Sequence, residues 1–483
     1  MKMKVLLVLI LAASVVHAQI GFEFYQNDNK HYQSFTSGLE ISNNEYLLVG
    51  KMYTSADELA MTLMKLDSLG SLTDSIFYLS DEYEITPVDI FENDSSYMVV
   101  GRAVAKPFGV VTNIWIGYFS KDLVLMSEVL IPLLASKKYN MFTFYLEVNK
   151  KELLFAGVNR WQTGNSVAGK VDLESFELLE KYYSDIGWKM PHILPKADGS
   201  GYVISGNALA ITDDSFNIVD IYLFGAYPTA PEKFPIGGAD IELVNDSTIF
   251  WASYFESHLT PFATGAGVMV GTMSYDLDLL NTHILSIYNA DSIIGNVETE
   301  QRLLAKSSDS TFIVGGYSFL SVSTNSNAIF CAKYNEKAEK IWDVKYDTLG
   351  SNFYYVRGVL ATSDGGCLLY GLKTESFYSS VWGLYALKIG PSGVVVGETF
   401  ISGFENLVTI YPNPAKDYIQ FDLPKGTDLA NLELIDLSGS VVLAQKINHQ
   451  APIDISFLPQ GMYMYQVKNK MGALMGVGKV LKE

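Results

Sequence analysis

The chain has 483 residues, of which 48% are apolar and 18% are charged, and its formal net charge is −19. So many apolar residues exclude a disordered chain, and the length allows two or three domains. A strongly acidic protein repels nucleic acid and anionic membrane surfaces, so neither is expected as a partner.

The N-terminal residues are typical of a cleaved secretory signal. Lys2 and Lys4 precede an apolar run over residues 5–16, and the small residue Ala18 precedes Gln19. We therefore predict a signal peptide over residues 1–18, with cleavage between Ala18 and Gln19. The apolar run is shorter than the roughly 20 residues that cross a bilayer. No later stretch is long and apolar enough, so no transmembrane segment is expected.

A motif recurs seven times in the middle of the chain: a polar turn, then a short apolar strand that ends in a small residue. The small residues are Gly50, Gly101, Gly157, Gly206, Ala252, Gly315 and Gly371. A unit of about 50 residues holds four short strands, the size of one β-propeller blade. One such sheet cannot stand alone, whereas radial packing of seven buries their faces.

Residues 19–403 are therefore predicted to form an all-β, seven-bladed propeller. The run from Phe22 to Tyr25 is predicted to add a strand to the last blade and close the ring. Six or eight blades remain open alternatives, because the fifth copy is degenerate and the interval from 252 to 315 is long.

Residues 404–483 differ from the repeats in their pattern of strands and turns, and this pattern predicts a small antiparallel β-sandwich of the immunoglobulin-like type. This tail is electrically balanced, with seven basic and seven acidic residues from Asn406 onward, so the negative charge lies in the propeller region. Four short motifs follow one another in it. Their members are Tyr411, Pro412, Asn413 and Pro414, then Asp436 and Gly439, then Gly461 and Tyr463, and finally Lys479.

Together and in this order, these motifs resemble the type A C-terminal sorting domain of the type IX (Por) secretion system of Bacteroidetes. The resemblance implies transit through the periplasm, engagement of the type IX secretion machinery and removal of the tail. The body is then released or held at the outer-membrane surface. The upstream repeats resemble the kelch-like propeller regions of such exported proteins, which implies no particular activity.

The sequence contains none of the short motifs that mark common active sites. No His or Cys residues are spaced as metal ligands, and no nucleophile elbow, zinc-protease motif or phosphate loop is present. We therefore expect no catalytic residues, cofactor or metal. Asp276 and Asp278 would face the same way on a strand and could hold a cation, but an exposed turn is the favoured interpretation. Cys331 and Cys367 lie in strand-like segments, as two buried thiols or as one disulfide between neighbouring strands.

Two hypotheses for the function follow. The first is a non-enzymatic binding module that takes an extracellular glycan or protein at the mouth of the propeller or on its loops. The alternative is an extracellular hydrolase acting on glycans through a pair of carboxylates. Because no catalytic motif is visible, the sequence favours binding.

Overall fold

A computed structural model describes the chain over residues 22–26, 33–41, 44–54, 58–106, 112–133, 141–147, 151–158, 166–183, 192–206, 208–223, 234–260, 263–286, 302–321, 326–347, 353–374, 381–393, 408–423, 430–436, 441–448, 451–468 and 474–483. Ile20–Gly397 forms one compact unit, and Glu398–Glu483 belongs to another. The boundary predicted at 403 falls outside the described residues and stays a prediction.

The first unit consists of seven four-stranded antiparallel sheets, which we number as blades 1 to 7. Strand β1 (Glu23–Gln26) comes first in the chain. Blades 1 to 3 contain β2 (Ser34–Ile41), β3 (Glu45–Tyr53), β4 (Leu59–Leu66) and β5 (Leu72–Tyr78); β6 (Tyr83–Glu92), β7 (Ser96–Ala105), β8 (Thr112–Ser120) and β9 (Leu125–Pro132); and β10 (Met141–Glu147), β11 (Glu152–Val158), β12 (Ser166–Asp172) and β13 (Leu178–Tyr183).

Blades 4 to 6 contain β14 (His192–Pro195), β15 (Gly201–Ser205), β16 (Ala208–Asp213) and β17 (Ile218–Leu223); β18 (Phe234–Asn245), β19 (Thr248–Thr260), β20 (Ala263–Ser274) and β21 (Leu279–Ser286); and β22 (Leu304–Lys306), β23 (Phe312–Ser321), β24 (Ser326–Tyr334) and β25 (Lys340–Asp347). Blade 7 contains β26 (Phe353–Ala361), β27 (Cys367–Thr374) and β28 (Gly383–Ile389).

The sheets form a closed ring. The first strand of each blade contacts the first strand of the next, and β26 of blade 7 contacts β2 of blade 1. Strand β1 pairs with β28, so the start of the chain supplies the fourth strand of the last blade. The predicted seven-bladed propeller, with its closure by the N-terminal run, is confirmed, and six or eight blades are excluded.

The antiparallel order sorts the connections between the two ends of the ring. Turns between first and second strands and between third and fourth strands lie at one end, which we call the turn end. Connections between second and third strands, and from one blade to the next, lie at the opposite end, where the first strands begin. We call this the connection end.

In the turn between the third and fourth strands of blade 4, Asp213 Oδ1 accepts hydrogen bonds from the backbone N–H groups of Ser215 and Asn217, and Phe216 adopts a φ of 62°. The side chain of the aspartate thus builds the turn, as the sequence predicts.

The recurring small residue lies on the second strands, and its contacts there explain why it has to be small. A Cβ added at Gly50 would lie 2.3 Å from the carbonyl oxygen of Ser34, and one at Gly101 would lie 2.3 Å from that of Thr86. Both carbonyls belong to first strands, next to β-bulges between Phe35 and Ser37 and between Pro87 and Asp89. Glycine is therefore needed where the bulged first strand presses on the second.

The core of the propeller lies between blades. In one cluster, Val49 and Leu63 of blade 1 pack with Trp115 and Phe119 of blade 2, and other clusters join other neighbouring blades in the same way. Short strands whose two faces are both buried explain why the repeats are runs of apolar residues rather than alternating patterns. The described residues contain no helix.

The second unit has two sheets that enclose a separate apolar core. One contains β29 (Thr409–Tyr411), β30 (Tyr418–Asp422) and β33 (Ile453–Asp454), and the other contains β31 (Ala430–Ile435), β32 (Val441–Ile447), β34 (Gly461–Lys468) and β35 (Leu474–Lys482). Phe421, Leu434 and Tyr465 pack together between them. This is the predicted small immunoglobulin-like sandwich.

Candidate functional site

Two carboxylates on first strands point toward the centre of the ring and are buried there. Asp89 of β6 is 4% exposed, and its Oδ1 accepts a 2.7 Å hydrogen bond from the Ser37 hydroxyl of blade 1. Asp240 of β18 is also 4% exposed, and its Oδ1 lies 3.0 Å from His192 Nδ1 of blade 4. Each Oδ1 also accepts the N–H of the following isoleucine, at 2.9 Å, so the two sites share one local geometry.

Arg302, just before β22, ties these groups together. Its Nη2 lies 2.7 Å from Asp89 Oδ2 and donates a 2.9 Å hydrogen bond to the carbonyl oxygen of Phe144 in blade 3. Its own carbonyl oxygen accepts the N–H of Val359 in blade 7 at 3.0 Å. The two residues after it donate their N–H groups to Asp240 Oδ2, at 2.7 and 2.9 Å. Every blade therefore contributes to one polar network, which we call the axial cluster: Ser37, Asp89, His192, Asp240 and Arg302 with the backbone groups they bind.

Burial and the charge of Arg302 set the protonation of this cluster. Burial, followed by Arg302, lowers the pKa of His192 to about 3, so the imidazole is neutral near pH 7. Burial raises the pKa of Asp240 to about 7 against its backbone hydrogen bonds and Arg302. Burial also opposes the charge on Arg302, but Asp89 and other neighbouring groups hold its pKa above the ordinary value.

Glu242 is the third acid at the axis and differs from the other two. It follows Asp240 by two residues on β18 and so lies on the same face of that strand. Burial raises its pKa to about 7, although part of its surface stays exposed. None of the hydrogen bonds between described residues ends on its carboxylate, which leaves Glu242 as the acid most able to meet a ligand.

The geometry of the axial cluster suits structural cross-linking better than catalysis. Asp89 accepts bonds from three groups and Asp240 from four, which nearly fills the lone pairs of a carboxylate. A nucleophile or base has to be free to reach its substrate. Within the described ranges, no three His, Cys, Asp or Glu side chains are grouped as metal ligands.

The acidic pair singled out in the sequence lies elsewhere. Asp276 and Asp278 are exposed in the turn after β20, where Ser274 donates its N–H to the Asp278 carbonyl. The favoured interpretation as a turn is confirmed.

Cys331 and Cys367 are fully buried free thiols on blades 6 and 7. Their Sγ atoms lie 3.3 Å apart, and burial raises the pKa of Cys331.

The tail motifs meet at one edge of the second unit. Asn413 donates its side-chain N–H to the Lys479 carbonyl at 2.7 Å and accepts the Leu481 N–H at 2.9 Å. Ala415 continues this contact, because it exchanges backbone hydrogen bonds with Leu481 and Glu483. The first and last predicted motifs are thus bonded to each other, although 66 residues separate Asn413 from Lys479.

The other predicted tail residues serve the same small domain. Tyr463 is 5% exposed and donates its hydroxyl to the Pro459 carbonyl at 2.8 Å. Gly461 begins β34 with a φ of 156°. Asp436 directly follows β31. Tyr411 ends β29, and the peptide bonds before Pro412 and Pro414 are cis. Gly439, Ala18 and Gln19 lie outside the described residues.

Sequence reasoning missed the axial cluster because its five side chains stand alone in five different repeats. A usable trace was nevertheless present. Asp89-Ile90 and Asp240-Ile241 place a carboxylate inside an apolar first strand of two different repeats. An acidic residue in such a run requires buried partners.

Part of the second unit matches a known domain family. A family model described as a secretion system C-terminal sorting domain matches residues 409–481. No protein among those with curated functions matches the chain. None of the described residues forms a helix able to span a membrane.

Solved structures similar to this chain share its fold only distantly. An α-L-arabinanase from Penicillium chrysogenum, complexed with arabinobiose, is 9% identical and covers 78% of this chain and 99% of its own, with a TM-score of 0.41. A family GH93 α-L-arabinofuranosidase of Fusarium graminearum is 11% identical, covers 78% and 98%, and also scores 0.41. BamB from Moraxella catarrhalis is 11% identical, covers 73% and 99%, and scores 0.31.

The matched sorting domain directs export to the outside or to the cell surface. Residues 409–481 are a secretion system C-terminal sorting domain, and the chain is a type IX secretion substrate that carries a seven-bladed β-propeller ahead of it.

Proposed function

We propose that the exported propeller is a non-enzymatic binding module that takes an extracellular ligand at the connection end of its axis. The observation that carries this proposal is the saturation of the axial cluster. Asp89 and Asp240 are both bonded to Arg302 or to the backbone beside it, and both are 4% exposed. Their role is to hold seven blades in register, and a rigid ring with variable connections at one end suits recognition.

The finer steps of delivery belong to the same proposal. The signal peptide over residues 1–18 is removed after Ala18 during passage into the periplasm. The tail then leads the protein to the type IX machinery and is removed, and the body is released or stays attached to the surface. Glycans and proteins are the two ligand classes that such a location offers.

A glycan hydrolase is the second candidate, and Glu242 is the observation that favours it. Burial raises the pKa of Glu242 to about 7, so a substantial fraction of this carboxyl is protonated near neutral pH, as a general acid requires. A glycosidase also needs a second carboxylate as nucleophile or base. The neighbouring Asp89 and Asp240 are engaged with other groups, so this candidate ranks second.

The test measures binding and turnover separately. The purified exported protein is applied to glycan and peptide arrays, and every captured ligand is then examined for products. The expected result is saturable binding without product. Saturable hydrolysis that is lost in Glu242→Gln would overturn the binding proposal in favour of the hydrolase.

A further inference from the structure

The two cysteines of this chain meet in the core of the propeller. Cys331 lies on β24, the third strand of blade 6, and Cys367 begins β27, the second strand of blade 7. Their Sγ atoms are 3.3 Å apart, and both residues are 0% exposed. They are 36 positions apart in the sequence, so the packing of one blade on the next brings them together.

The strands on either side hold both cysteines in place. Cys331 is paired with residues of β23 and β25, its two neighbours in blade 6. Cys367 is paired with residues of β26 and β28 in blade 7. Gly315 lies directly opposite Cys331 on β23, and a Cβ added there would lie 2.5 Å from Leu369 Cδ2 of blade 7. Blades packed this closely leave the two sulfur atoms little freedom to separate.

Core packing alone does not account for this contact. A free cysteine behaves as a small apolar residue and can fill any buried position. A buried residue touches only about 6 to 12 others, so two cysteines placed independently among seven blades would rarely be neighbours. The sorting domain directs the chain to the outside or to the cell surface, and exported proteins are the class in which disulfides form and persist.

We propose that Cys331 and Cys367 form a disulfide in the exported protein, and that this bond joins blade 7 covalently to blade 6. The sulfur atoms have to approach by about 1.3 Å to reach the S–S bond length of about 2.05 Å, a movement that rotation about the Cα–Cβ bonds supplies. One thiolate attacks a disulfide-bonded oxidant and releases its first thiol, and the second thiolate displaces the other. The two cysteines lose two protons and two electrons, and the oxidant is reduced to two thiols.

Burial decides when this exchange takes place. The thiolate is the reactive form of cysteine, and burial raises the pKa of Cys331. Both sulfur atoms are also closed off from an oxidant in the finished ring, since both residues are 0% exposed. The bond therefore forms during folding, before blade 7 packs on blade 6, and the closed ring then shields it from reductants.

Blade 7 is the place where a covalent link has the most to hold. Its fourth strand, β1, comes from the start of the chain and is attached by its pairing with β28 and by an ion pair of 2.8 Å between Glu23 and Lys373. These contacts are non-covalent, so the ring opens wherever blade 7 unfolds. A disulfide to blade 6 keeps blade 7 tethered and also restricts the unfolded chain.

The first experiment reads the bond from the unaltered protein. The exported protein is collected from a host with type IX secretion without reductant, denatured in iodoacetamide, digested and examined by mass spectrometry. The expected result is a linked peptide pair that contains Cys331 and Cys367 and is two hydrogen atoms lighter than the reduced pair. Reduction before alkylation is expected to label both cysteines. Alkylation of both without reductant would overturn the proposal.

The second experiment measures what the bond does. Thermal unfolding compares the exported protein with the same protein denatured, reduced and refolded in reductant, and the reduced form is expected to unfold at a midpoint about 5 °C lower. Equal midpoints would show that the bond does not stabilise the ring. Reductant added to the folded protein is expected to leave the bond intact, and rapid reduction there would contradict its formation before closure.

Matched variants give the control. Cys331→Ala and Cys367→Ala each leave one thiol, so their unfolding midpoints are expected not to change with reductant. A reductant effect of the same size in these variants would assign the shift to something other than the disulfide. None of these measurements uses a ligand, so the outcome is independent of the proposed binding function.

Discussion

The tail and the propeller differ in how the residues that hold them together are distributed along the sequence. In the tail, short contiguous motifs carry the contacts, and Asn413 clamps the last strand through two backbone hydrogen bonds. In the propeller, the axial cluster takes isolated residues from separate repeats, and Arg302 joins blades far apart in the chain. A function that rests on local backbone geometry leaves a readable motif, whereas one assembled by ring closure does not.

Deleting Asn406–Glu483 tests the tail side of this comparison and carries the largest expected effect. Because the sorting domain lies within this segment, the truncated propeller is expected to fold but to remain in the periplasm. Fractionation of a host with type IX secretion, with the full chain as control, measures the distribution. Truncated protein at the surface or in the medium would show that the tail is not the export signal.

Arg302→Met tests the propeller side. It leaves the buried Asp89 without its cation, which is expected to lower the free energy of unfolding by about 3 to 5 kcal/mol. Lys340→Met, which removes an exposed pair with Asp343, is the control and is expected to cost about 0 to 1 kcal/mol. Equal losses in chemical denaturation would mean that Arg302 does not cross-link the ring.

Gly101→Ala tests whether the repeated glycine reflects close packing. The new Cβ would lie 2.3 Å from the Thr86 carbonyl oxygen, so the backbone has to move, at a cost of about 2 to 3 kcal/mol. At Gly315 the nearest atom is Leu369 Cδ2, the end of a side chain that can turn away. Gly315→Ala is therefore expected to cost about 1 kcal/mol, and a reversed order in thermal unfolding would contradict this explanation.

The pH dependence of stability sharpens the comparison within the axis, because two acids there have raised pKa values. The pKa values of Asp240 and Glu242 are raised to about 7, above those of the unfolded chain. Their stabilisation is therefore complete below about pH 4 and is lost as the pH rises through 7. We expect the free energy of unfolding to fall between pH 5 and pH 7.5 as these two groups ionise.

Glu242→Gln isolates one of the two acids. It is expected to flatten this pH profile, whereas Glu336→Gln, at an exposed turn, should keep the profile of the unaltered protein. Thermal unfolding at several pH values measures both. A profile that Glu242→Gln leaves unchanged would show that Glu242 does not titrate in this range.

Most of the fold was predictable from the residues, since each repeat ends at a small residue of a second strand. Every blade has nearly the same local structure, so the same residue types recur at the same places in the sequence. Asp213 in a turn and the closely packed Gly50 and Gly101 are examples. The end of the tail differs. Pro459–Gly461 is suggestive of a hairpin turn, but the chain there passes from β33 in one sheet to β34 in the other. Local turn residues do not specify which sheet the next strand joins.

By itself, then, the sequence determined the sorting domain and the strand periodicity and favoured seven blades, because these depend on contacts between residues close in the chain. Only the tertiary structure decided which residues meet at the axis. Closing the ring brings Asp89, Asp240 and Arg302 together from distant repeats.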